Sequence, residues 1–209
     1  SLAVFLIWNR RAERREVVCG IPDEQFCRGK VPMTKEEVRS ISISKLRLWK
    51  DAVIYDVGAG TGSVAVEMAL QAPDGVVYAV EKNEEAVALL GKNRVAFAVD
   101  HLKIVQGKAP EALENLPAPT HVFIGGSSGN LKEILDIVRK KNKAVRVVIN
   151  AITLETVTEA LTYLKEQEIS GAEVVSVQTA RAREVGRYHM MTGQNPVYVI
   201  SFGGERQER

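Results

Sequence analysis

Along the chain, short apolar runs alternate with stretches whose apolar residues recur every three or four positions. The runs at 52–57, 76–80, 102–106, 121–124 and 145–150 have the length and β-branched content of buried strands, and the stretches between them read as helices. Strand and helix alternating in this way predict an α/β Rossmann-like fold, a parallel sheet with helices on both faces. Ahead of the first strand, Thr34-Lys-Glu-Glu37 has the form of a capping box, and Val38, Ile41 and Leu46 share one face, which predicts a helix over 34–48. Beyond residue 170 the pattern changes. Residues 173–179 and 196–202 read as strands with no convincing helix between them. They are expected to complete a seven-stranded, mostly parallel sheet as a C-terminal antiparallel pair. At the other end, an apolar run at 2–8 precedes the charged stretch RRAERRE at 10–16. Residues 1–19 are therefore expected to be a linker or the remnant of a preceding fused domain, and 20–209 the main domain.

Composition narrows the classes. The 209 residues are 45% hydrophobic and 26% charged, enough for a core and incompatible with disorder of the whole chain. Lys and Arg number 28 against 26 Asp and Glu, a net charge of +2. That balance lacks the basic footprint of a nucleic-acid binder, so no such partner is expected. The apolar run at 2–8 is too short to span a bilayer, and no membrane partner is expected. Cys19 and Cys27 stand alone, without the companion pair of a disulfide framework or zinc site. No metal centre is expected, and the reducing cytoplasm is the expected location.

The sharpest chemical signal is Asp56-Val57-Gly58-Ala59-Gly60-Thr61-Gly62, at the end of the first strand and leading into the next helix. Glycines there let backbone approach a ligand, and the helix start beyond offers N–H groups. Glu81 ends the second strand, about 20 residues on, where a carboxylate accepts from ribose hydroxyls. The spacing is G-x-G-x-G, with Ser63 where a dinucleotide fingerprint needs glycine. Asp56 just before the loop would repel a pyrophosphate and favour a ligand carrying an amine. Together these features favour S-adenosyl-L-methionine as cofactor.

Two other patterns point elsewhere. Gly125-Gly126-Ser127-Ser128-Gly129 matches the nucleophile elbow of serine hydrolases, with His189 as the only later histidine. Asn195-Pro196-Val197-Tyr198 approaches the Asn-Pro-Pro-Tyr box of amino-group methyltransferases, but it stands at a strand start. A methyltransferase acting on tRNA or another small molecule, a hydrolase using Ser127, and a noncatalytic cofactor-binding module therefore remain as alternatives.

The loop at 56–62 with Glu81 resembles the class I S-adenosylmethionine-dependent methyltransferases. The segments GIPDEQFCRGKVPMTKEEVR (20–39), FIGGSSG (123–129), VINAITLET (148–156) and GRYHMMTGQNPVYVIS (186–201) are similar to the decarboxylating precorrin carbon-15 methyltransferases of cobalamin biosynthesis. The resemblance implies methylation of carbon 15 of a precorrin or cobalt-precorrin tetrapyrrole, with loss of the carboxyl group of the carbon-12 acetate. It implies that Gly58, Ala59, Gly60, Thr61 and Gly62 hold the methionine end of the cofactor, that Glu81 takes the ribose, and that Thr34 closes over it. Lys108 and Ala109 would flank the adenine, although Lys108 stands where an acidic residue is common. The resemblance also implies a homotetramer, and a partner or fused domain that methylates carbon 5. A substrate with many carboxylates calls for arginines. Arg181, Arg183 and Arg187 are candidates for its binding, although a solvated loop explains them equally well. Ser127, Asn150 and His189 are candidate catalytic residues.

Overall fold

The computed structural model describes Val4 and residues 19–204 of the chain. The expected N-terminal strand and charged linker lie outside the described residues. Seven strands form one sheet in the order β3-β2-β1-β4-β5-β9-β6. These are β1 (Val53–Val57), β2 (Val76–Glu81), β3 (Leu102–Gln106), β4 (His121–Ile124), β5 (Arg146–Ala151), β6 (Glu173–Val177) and β9 (Val197–Phe202). The first five are parallel, and β9 runs antiparallel between β5 and β6. The expected sheet is thus present, with strand bounds shifted by a residue or two. Between β6 and β9 the chain makes two further strands, β7 (Ala180–Val185) and β8 (Tyr188–Gly193), paired as a separate hairpin across the two-residue loop Gly186-Arg187.

The pleat sorts the side chains into two cores. Ile54, Val77, Ala79, Phe123 and Val148 face one way, against α1 (Glu36–Leu46), α2 (Ser63–Gln71) and α3 (Glu84–Ala96). Tyr55, Val57, Val122, Ile124, Val147 and Ile149 face the other way, against α4 (Leu131–Lys141) and α5 (Leu154–Glu166). Both faces are covered, so the central strands are apolar almost throughout, as buried parallel strands are.

The start of α1 departs from the expected capping box. The helix begins at Glu36 with Lys35 as N-cap, and neither side chain of the box caps it. Instead Asp23 Oδ1, thirteen residues upstream, accepts from the Glu36 N–H at 3.1 Å. Asp23 belongs to a buried charged cluster centred on Arg39, which is 0% exposed. The Arg39 guanidinium bonds Glu67 Oε1 of α2 at 2.6 Å, Asp23 Oδ1 at 3.2 Å, the Thr34 carbonyl at 2.7 Å and the Ile21 carbonyl, and lies over the Phe26 ring. Glu67 also accepts from the N–H groups of Gly20 and Ile21. Each buried charge has an opposite charge and hydrogen bonds, the condition under which such burial is tolerated. The cluster fixes residues 20–36 on the fold, and their last few residues form one wall of the site.

Candidate cofactor cleft

Where β1 ends, the chain makes a tight turn in which Gly58, Gly60 and Gly62 take φ of 74°, 55° and 78°. A Cβ on Gly58 would stand 2.6 Å from the carbonyl oxygen and 2.8 Å from the nitrogen of Gly126. The loops after β1 and β4 therefore pass in backbone contact, which a side chain would prevent. Glu81 fixes the turn from the neighbouring strand. Its Oε2 accepts from the Gly60 N–H at 2.9 Å, and its Oε1 accepts from the N–H groups of Lys82 and Asn83 at 2.8 and 2.9 Å. A carboxylate offers about four acceptor sites, so capacity remains for a ligand hydroxyl.

Above this turn, at the carboxyl ends of the parallel strands, lies a cleft of about 590 Å³. Open α/β sheets bind ligands at this place, where the strand order reverses. Thr34, Gly58, Ala59, Gly60, Thr61, Glu81, Lys108 and Ala109 line it, as do Ser127 and Asn150. Asn150, on β5, accepts from the Ser42 hydroxyl of α1 at 2.9 Å, which orients its amide. Lys82 Nζ donates to Ser128 Oγ at 3.0 Å, linking the loops after β2 and β4.

The remaining expected site residues lie elsewhere. Gly62 is buried at the N-cap of α2. Asp56, expected to meet the ligand's amine, is 0% exposed on the side of β1 that faces α2, and it does not line the cleft. Among the described residues, neither of its carboxylate oxygens has a hydrogen-bond partner of good geometry. Burial, and then the charge of Glu81, push its pKa to about 8, against a smaller opposing effect of the Ala65 N–H. Arg181, Arg183, Arg187 and His189 all stand on the β7–β8 hairpin, outside the cleft lining. Arg181 is already held by Glu37, at 2.8 Å. His189 is largely exposed, with Glu184 3.7 Å away.

The elbow pattern lacks its chemistry here, since none of the three histidines lines the cleft with Ser127. His101 bonds the Ala69 carbonyl at 2.9 Å. His121 is buried at the start of β4, against the Trp49 ring, and burial lowers its pKa to about 4. The positive φ of this loop falls on Ser128 and Gly129 rather than on Ser127.

Sequence reasoning took Asn195 and Val197 only for a strand start and did not assign them, or Gln194, to the cleft they line. Because β9 is antiparallel to β5, its start lies at the carboxyl ends of the parallel strands, beside Asn150 and Ala151. The polar pair Gln194-Asn195 before an expected antiparallel strand was the available signal.

The precorrin methyltransferase domain family matches residues 25–202. The chain is a member of the precorrin methyltransferase family. It is 44% identical over 185 residues to a probable cobalt-precorrin-6B C(15)-methyltransferase (decarboxylating) of Pyrobaculum calidifontis, covering 87% of this chain and 94% of that one. It is 39% identical over 181 residues to the cobalt-precorrin-6B C(15)-methyltransferase (decarboxylating) of Salmonella typhimurium, covering 86% and 93%. A crystal structure of precorrin-6y C5,15-methyltransferase from Geobacter metallireducens superposes with a TM-score of 0.84 at 39% identity, covering 90% of this chain and 98% of that one. The cleft fits the cofactor of a precorrin methyltransferase. Glycines keep the turn open to close backbone approach, Glu81 retains acceptor capacity, and the buried Thr61 hydroxyl beside them has no hydrogen-bond partner among the described residues.

Proposed function

We propose that this chain transfers a methyl group from S-adenosyl-L-methionine to carbon 15 of a precorrin or cobalt-precorrin and removes the carboxyl group of the carbon-12 acetate. The observation that carries the reading is the glycine turn locked by Glu81 at the floor of a large cleft in a chain of this family. The methionine end of the cofactor is assigned to Gly58–Thr61, the ribose to Glu81, the adenine to the 107–109 loop, and the covering wall to Thr34. Bound there, S-adenosyl-L-methionine supplies an electrophilic methyl group on a sulfonium sulfur.

The chain's own contribution is positioning and charge. Lys30, Lys35, Lys82 and Lys108 line the cleft against Glu81 and Glu85, a net positive lining suited to a substrate rimmed with carboxylates. Lys108 cannot accept from an adenine amino group, so the Ala109 backbone takes that role. Ser127 and Asn150 border both the cleft and a neighbouring cavity of about 170 Å³, on the side assigned to the macrocycle. The conjugated macrocycle itself provides the nucleophilic carbon. For decarboxylation it takes up the electron pair left by carbon dioxide, and a proton then replaces the carboxyl group.

The exposed hairpin supports assembly as a homotetramer. Val185, Tyr188, Met190 and Met191 are 48%, 63%, 57% and 67% exposed on a two-stranded ribbon, which is marginal in water without a partner surface. Arg183 and Arg187 on the same ribbon remain candidates for substrate carboxylates. No helix among the described residues is long and apolar enough to cross a membrane. We further propose that it acts in the cytoplasm, beside or fused to a carbon-5 methyltransferase domain; its likeness to a C5,15-methyltransferase supports the pairing.

Calorimetric titration with S-adenosylhomocysteine tests the cleft. Wild type is expected to bind, and Glu81→Ala to bind more than about tenfold weaker, because it loses both the ribose acceptor and the clamp on Gly60. Equal affinities would remove the cofactor from this cleft.

A further inference from the structure

Arg181 on β7 reaches across to α1. Its Nε donates to Glu37 Oε1 at 2.9 Å and its Nη2 lies 2.8 Å from the same oxygen. Glu36 Oε2 and Asp23 Oδ2 each stand 3.8 Å from that Nη2. The two ends of this bridge belong to different walls of the cleft. On the α1 side, Glu37 follows the wall segment that ends in Thr34 and Lys35, held by Arg39 on the Thr34 carbonyl and by Asp23 on Lys35 at 3.6 Å. On the other side, the hairpin runs directly into the lining residues Gln194, Asn195 and Val197. The Gln194 N–H closes the base of the hairpin on the Thr179 carbonyl at 2.9 Å, two residues from Arg181.

Charge explains why the bridge carries weight despite its partial exposure. A lone exposed ion pair contributes little. Here Asp23, Glu36, Glu37 and Glu67 share Lys35, Arg39 and Arg181, so among the described residues four carboxylates face three cations. Removing Arg181 leaves Glu36 and Glu37 beside the buried Asp23 with two cations for four anions. The resulting repulsion falls on residues 34–37, where the wall segment runs into α1.

We propose that Arg181 is a positioning residue for cofactor binding: its bridge to Glu37 straps the 30–35 wall to the 194–197 wall and holds the cleft at the width that grips the cofactor. Arg181 is then spoken for, and is not a ligand of the substrate's carboxylates. The proposal rests on the cofactor reading of the cleft.

The test is calorimetry with S-adenosylhomocysteine on wild type, Arg181→Ala, Arg181→Lys, Glu37→Gln and the charge swap Arg181→Glu/Glu37→Arg, with cofactor and substrate KM and kcat measured in parallel. Arg181→Ala and Glu37→Gln are expected to bind about five- to tenfold weaker, a loss that falls within the coupling found among residues of one network. Arg181→Lys should keep most of the affinity, and the swap should recover part of what either change alone loses. Cofactor KM should rise while kcat at saturating cofactor and substrate KM stay near wild type. Wild-type affinity in a folded Arg181→Ala variant would overturn the proposal. So would a rise in substrate KM with cofactor KM unchanged, which would make Arg181 a substrate ligand. Failure of wild type itself to bind would instead remove the cofactor reading beneath it.

Discussion

Asp56 carries a carboxyl group into the core directly beneath the glycine turn, and its protonation ties stability to pH. Its ordinary value is 3.8, whereas burial and the Glu81 charge raise it to about 8 in the fold. Between those values the native state holds a proton that the unfolded chain has lost. Stability therefore falls as pH rises across that window, and the contribution is fully present only below the lower value. Asn in this place keeps the shape and removes the titration. The urea midpoint of wild type is expected to drop more than that of Asp56→Asn between about pH 6 and pH 9. Parallel drops would show that Asp56 ionises normally in the fold. At this scale the sequence placed the glycines and Glu81 by spacing alone. It mistook Asp56 for a ligand contact because adjacency in the chain does not reveal which face of β1 a side chain takes. The pleat turns Asp56 toward α2, away from the cleft.

Among the elements, α1 shows where local pattern yields to tertiary structure. Thr34 and Glu37 have capping-box spacing, yet the helix is capped by Asp23, which Arg39 and Lys35 hold in place. A motif four residues long cannot reveal an acceptor thirteen residues away. The hairpin was missed for a different reason. Its strands read ARAREV and YHMMTG, and apart from Arg181 every residue in both is exposed, so no apolar alternation marks them. Only Gly186 between two short polar runs hinted at a turn. Arg39→Met takes from the buried Glu67 the cation at 2.6 Å and leaves Asp23 only Lys35 and Arg181, at 3.6 and 3.8 Å, which costs about 3–5 kcal/mol. A denaturant titration should show that loss, with cofactor binding weakened because Thr34 loses its anchor. A loss below about 1 kcal/mol would mean that the cluster is solvated or readily rearranged.

For the whole molecule, alternation of strands and helices was enough to predict the sheet, because each buried parallel strand needs an unbroken, if short, apolar run and each crossover a helix. The site followed from the same logic, since strand order reverses beside β1 and the loops after β1 and β4 meet there. Assembly was not legible from apolar periodicity. If the proposed tetramer forms through the exposed Tyr188, Met190 and Met191, Met190→Glu combined with Met191→Glu is expected to give smaller species in sedimentation than wild type without unfolding the sheet. A wild-type monomer in sedimentation would remove the tetramer from the account. Methyl transfer and decarboxylation can be read in one reaction. The chain is incubated with a precorrin bearing the carbon-12 acetate and with methyl-labelled S-adenosyl-L-methionine, and the product is followed by mass spectrometry and carbon NMR. The expected product carries one labelled methyl group at carbon 15 and has lost one carboxyl group as carbon dioxide, as the proposed function requires. Label at another carbon, or an unchanged macrocycle with a chain that binds S-adenosylhomocysteine, would contradict it.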